Sequence, residues 1–156
     1  MSLITCDLSL DELLEDDFYE YLTKWMEAPH VKFDNTKLSD FFSKEYLHRF
    51  SYYGDLGKNG EFFACKPMHY KHYKEIISDG TYNFPSIYCP WKMSIDKQTL
   101  LFSLNPFEVL FPSDCNIWLK YIIDNFFGPN GYFLNGNFVY SETGEYIVKN
   151  NKIMNF

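Results

Sequence analysis

The chain has 156 residues and a net charge of −7, with 46% apolar and 22% charged residues, which excludes long-range disorder and fits one domain over residues 1–156. Apolar runs are only a few residues long, as in Leu100-Leu101-Phe102, far short of the roughly 20 residues a membrane helix needs, and the acidic N-terminus lacks the basic region of a signal peptide. Four scattered cysteines, Cys6, Cys65, Cys89 and Cys115, suit reduced thiols in a cytoplasmic protein.

In chain order, residues 3–6 read as a short opening strand. Ser9 and Glu12 then match a capping box, and Leu10, Leu13, Leu14, Phe18, Tyr21, Leu22, Trp25 and Met26 recur at helical spacing, so a helix is predicted over residues 9–27 and ended by Pro29. Asn35 or Thr36 caps a shorter helix carrying Leu38, Phe41, Phe42, Tyr46 and Leu47. Residues 54–60 read as a loop, and residues 61–65, 86–93 and 99–104 as strands rich in aromatic and branched side chains. Residues 69–77 are compatible with a helix.

A final helix is predicted over residues 113–127, capped by Ser113 or Asp114 and stopped by Gly128-Pro129. The remainder reads as a β-meander. Asn135-Gly136 suits a two-residue turn between residues 132–134 and 137–140, and Asn150-Asn151 suits another between residues 146–149 and 152–156. These elements predict an α+β fold, an antiparallel sheet with a C-terminal β-meander and two or more helices packed on one face.

The segment WLKYIIDNFFGPNGYFLNGNFVYSETGEYIVKNNKI, residues 118–153, carries a helix, a Pro-x-Gly-Tyr stop, a Leu-Asn-Gly hairpin and a closing strand. In this it resembles the end of a family of small uncharacterised bacterial and phage proteins. Pro85-Ser86-Ile87-Tyr88-Cys89-Pro90-Trp91 is similar to that family's central strand. The likeness covers about a third of the chain, and the turn Ser141-Glu142-Thr143-Gly144 is shorter than the family's acidic turn. The resemblance implies the fold and a mobile-element setting, and transfers no activity.

Charge is unevenly placed. Asp7, Asp11, Glu12, Glu15, Asp16, Asp17 and Glu20 all precede the first basic residue, Lys24, and the rest of the chain is balanced. Arg49 is the only arginine, so a broad phosphate-binding face is not expected and nucleic acid is an improbable partner. Lys58, Lys66, Lys71 and Lys74 interleave with Tyr70 and Tyr73. That is a local pattern for stacking single-stranded bases, in a chain that is 21% aromatic throughout.

His69-x-x-His72 with Cys65, and Cys89 beyond it, is the best candidate for a metal or a pocket. No CxxC or HExxH spacing accompanies it, so no metal and no cofactor are expected. A polar surface segment explains the same residues. Gly54-Asp55-Leu56-Gly57-Lys58 is not a phosphate-binding loop, and Ser113 lacks the glycines of a nucleophile elbow.

Two functions from different classes remain. The first is a small, non-enzymatic interaction protein that inhibits or regulates a larger protein, in a mobile-element, anti-defence or immunity-type role. It would dock through Asp11, Glu12, Glu15, Asp16 and Glu20, a set that also reads as a solvated helix face. The second is a small-molecule-binding protein or enzyme with a Tyr/His/Cys-lined pocket, in which Cys65, His69 and His72 converge. No membrane partner is expected, and the oligomeric state is left open.

Overall fold

Cys6, Leu8 and Leu10 alternate with Asp7 and Ser9, a period of two that suits a strand buried on one face. A computed structural model describes residues 3–27, 30–33, 77–81, 84–86, 88–104 and 109–155, and in it β1 spans Leu3–Leu10. The strand joins β4 (Trp91–Met93), β5 (Thr99–Phe102), β6 (Leu134–Tyr140), β7 (Gly144–Lys149) and β8 (Lys152–Asn155) in a six-stranded sheet. Its order is β4-β5-β1-β6-β7-β8, with every neighbouring pair antiparallel. Separately, β2 (Val31–Phe33) and β3 (Ile77–Thr81) form an antiparallel ribbon.

One face of the large sheet buries Leu8, Leu10, Trp91, Met93, Leu100, Leu134, Phe138 and Val148, while Asp7, Ser9, Lys92, Glu145 and Lys149 on the other are exposed. Two helices among the described residues, α1 (Asp16–Glu27) and α2 (Pro112–Ile122), cover the buried face. A π-helical turn, Ile123–Phe127, and a 3-10 turn, Gly128–Asn130, extend α2. This is the α+β arrangement that the element pattern predicts, meander included.

The cores of the two helices meet in an aromatic cluster. Trp118 is fully buried, stacks on Phe84 at 4.2 Å between centroids, and donates its indole N–H to Ser86 Oγ at 2.8 Å. Trp25 stacks on Tyr121 at 5.6 Å. The imidazole of His30 sits edge-on among Trp25, Trp118 and Phe84, at 4.7, 4.8 and 5.3 Å. Trp91 Nε1 donates to Cys115 O at 2.9 Å, which fastens α2 to edge strand β4. A buried Trp needs such a partner for its N–H.

Several elements differ from their sequence prediction, each for a physical reason. The Ser9–Glu12 capping box does not form, because Ser9 is paired in the sheet between Thr99 and Asn135 and α1 begins only at Asp16. Cross-strand pairing of a central strand outweighs one local cap. Among the described residues of 86–93 only Trp91–Met93 is strand; Pro85 precedes the stretch and Pro90 lies within it, and proline cannot donate to a ladder. Neither Ser113 nor Asp114 caps α2, because the helix already begins at Pro112, where proline suits the first turn; Phe111 is the cap residue, and its N donates to Asp114 Oδ2 at 2.8 Å.

Asn135-Gly136 is not a turn. Both residues lie inside β6, where Gly136 has φ 135° and a Cβ there would stand 1.9 Å from Asp7 O. The glycine answers a close approach of two strands. The chain reverses instead at Ser141-Glu142-Thr143. Asn150-Asn151 does form the predicted turn, with φ 48° and 70°. The predicted helix over residues 35–47, loop 54–60, strand 61–65 and most of the helix-compatible stretch 69–77 lie outside the described residues; Ile77 opens β3.

Candidate acidic docking edge

The five predicted partner-binding acids occupy the connection from β1 to α1 and the start of that helix, not one continuous helix face. Asp11, Glu12 and Glu15 precede α1, whose first residue is Asp16. The segment is fastened to the fold from several sides. Asp11 N donates to Phe133 O and Phe133 N donates to Asp11 Oδ1, both at 3.0 Å. Leu14 N donates to Lys97 O at 2.9 Å, Glu15 N to Tyr132 Oη at 3.2 Å, and the Leu14 side chain is buried. The carbonyl of Glu15 accepts the first helical bond, from Tyr19 N at 2.8 Å.

The five carboxylates divide by what they touch. That of Asp11 is committed to the Phe133 amide. Asp16 pairs with Lys97, which holds its carboxyl below the usual carboxylate range, first through the hydrogen bond and then through the charge. Lys97 reaches there from a left-handed backbone, φ 62°, with its ammonium 5.8 Å from the Tyr19 ring centre. Glu20 pairs with Lys24 at 3.0 Å, one turn along α1. Glu12 and Glu15, with neighbouring Asp17, are exposed and make no ion pair among the described residues. Asp16 and Asp17 also sit in the first helical turn, where the helix dipole favours negative charge.

Leu13 is 59% exposed between these acids, and Phe133, bonded through its backbone to Asp11, is 45% exposed. Neither stood out in the sequence. Leu13 reads there as part of the apolar stripe of a helix that starts at residue 9, and only the later start of α1 turns it outward. The available signal is the Leu13-Leu14 pair: in a connection rather than a helix, two adjacent leucines cannot both point into the same core.

Cys65, His69 and His72 lie outside the described residues, as do Lys58, Lys66, Tyr70, Lys71, Tyr73 and Lys74. Among the described residues no group of three or more His, Cys, Asp or Glu side chains gathers as metal ligands. Cys6, Cys89 and Cys115 are free thiols. Burial, more than any neighbouring charge, pushes the Cys6 thiol up to about 11 and Cys115 to about 12, and raises Cys89 as well. A thiol that keeps its proton at neutral pH is a poor nucleophile. No helix among the described residues is long and apolar enough to cross a membrane. Compared with known proteins, the chain matches no family model, no curated protein and no solved structure.

Proposed function

We propose that this is a non-enzymatic interaction protein that docks its acidic edge, residues 11–20, on a basic surface of a larger protein and thereby inhibits or regulates it. The observation that carries the reading is the anchorage of the segment. Four hydrogen bonds donated by backbone N–H groups, two to carbonyls and two to side chains, and the buried Leu14 anchor it while Glu12, Leu13, Glu15 and Asp17 face solvent. A surface that is ordered before binding loses less conformational entropy on association. Its one-signed charge steers a basic partner, and Leu13 supplies an apolar contact inside the charged rim. Glu12, Glu15 and Asp17 are the recognition charges, whereas Asp11, Asp16 and Glu20 chiefly hold the edge in shape.

The cytoplasm is the proposed compartment, in keeping with the free thiols. The C-terminal resemblance supports a mobile-element, anti-defence or immunity-type role. The test is affinity capture from host lysate with the wild-type chain and with the Glu12→Lys/Glu15→Lys double variant, circular dichroism serving as the folding control. The reading expects a protein retained by the wild type and lost by the folded double variant. Identical captured sets would overturn it.

A further inference from the structure

A cleft of about 310 Å³ lies where the end of α1 meets edge strand β4 and the residues after β5, lined by Met26, Glu27, Tyr88, Cys89, Trp91, Lys92, Ser103 and Leu104. Its α1 residues, Met26 and Glu27, stand at the opposite end of that helix from the acidic edge, and the cleft plays no part in the docking reading above. Its floor is apolar: Met26, Cys89 and Trp91 are all buried core residues. Its polar groups carry opposite charges. Glu27 and Lys92 are both exposed, and neither takes part in an ion pair among the described residues.

We propose that this cleft binds a small zwitterion with a short apolar tail, of the size and chemistry of a free amino acid, its ammonium toward Glu27 and its carboxylate toward Lys92. The volume is at the small end of ligand sites and corresponds to about ten waters at roughly 30 Å³ each. Ligands of about ten heavy atoms fit that space. An apolar floor with a few polar groups around it is the usual composition of such sites. The Ser103 side chain adds a hydroxyl that can bond either end of the ligand. Cys89 serves as part of the apolar floor, because its thiol stays protonated in this buried setting.

The probe is L-leucine, titrated into the full chain while the side-chain NMR signals of Tyr88 and Trp91 are followed. Isovalerate and isoamylamine, each with one charge and the same tail, are titrated in parallel. Saturable shifts are expected with leucine, and binding at least about tenfold weaker with either analogue, since each loses one charge-assisted contact. Lys92→Met and Glu27→Gln, both at exposed positions, are expected to weaken leucine binding by a similar factor in folded protein. The absence of saturable shifts with leucine, or equal shifts from all three probes, would overturn the proposal. The comparison of probes needs no variant, so it decides the matter even if a substituted chain folds poorly.

Discussion

Trp118 ties α2 to the irregular stretch before β4 from a single side chain. It leaves α2, stacks on Phe84, and gives its indole N–H to Ser86, so the irregular stretch before β4 is held by a helix rather than by a ladder. Truncation to alanine removes a fully buried indole and the bond that Ser86 Oγ accepts, while the hydroxyl keeps its donation to Tyr88 O at 3.0 Å; we expect a loss of about 3–5 kcal/mol in urea unfolding. Trp118→Phe retains most of the apolar area and loses the hydrogen bond, and should cost less than Trp118→Ala. Equal losses for the two would show that the bond to Ser86, not burial, dominates. This residue was legible from sequence, since Ile117, Trp118, Tyr121 and Ile122 mark an apolar helical face. Trp118 and Ile122 face inward, whereas Ile117 is 51% exposed. His30 was not legible: nothing in its neighbourhood announces a histidine enclosed by three aromatic rings.

At the scale of elements, asparagines do work that a turn dictionary assigns wrongly. Asn135 is a strand residue whose Oδ1 accepts from Asn150 N at 2.9 Å. Asn151 forms the left-handed turn position and also clamps the entry to β6, accepting from Leu134 N at 2.7 Å and donating to Tyr132 O at 2.8 Å. Asn151→Gly preserves the backbone and deletes both side-chain bonds, so it should destabilise by about 1–3 kcal/mol. Asn150→Gly keeps its backbone bond to Asn135 and should stay within about 0.5 kcal/mol of wild type. Thermal or urea melts of the pair check this, and equal effects would contradict the clamp. Local signals identified the β7–β8 turn because its geometry is set by two adjacent residues. They misplaced the Asn135-Gly136 turn and the start of α1 because both are decided by β1, a strand more than 120 residues away from β6 in sequence. The acidic edge was therefore legible as a charge cluster and not as an anchored connection with Leu13 facing outward.

For the molecule as a whole, buried thiols and a buried phenol set the alkaline limit. Cys6, Cys115, Cys89 and Tyr140 all hold their protons more tightly in the folded chain, chiefly through burial. Raised folded values mean that this stability is complete below the ordinary thiol value of 9.0 and is lost as pH rises toward about 11 and about 12 for Cys6 and Cys115. Unfolding midpoints in urea should fall across that window, and Cys115→Ala should flatten the decline; a flat profile in the wild type would contradict it. At the acidic end the sign is reversed. Asp16 and Asp96 titrate below 3.8, held down by Lys97 and by the Thr99 and Gln98 donors respectively, so their contribution is present at neutral pH and disappears as the pH falls below that value.

The central claim is that the anchored acidic edge recognises a basic protein. The most direct measurement is the association rate of the captured partner with wild-type chain and with Glu12→Lys/Glu15→Lys, at low and at near-physiological ionic strength. Electrostatic steering raises association rates by about 10-fold or more and weakens with salt. The account predicts that the folded double variant associates about tenfold more slowly at low salt and loses most of the salt dependence. An association rate unchanged in that variant would mean that these acids only solvate the fold, and would contradict the account.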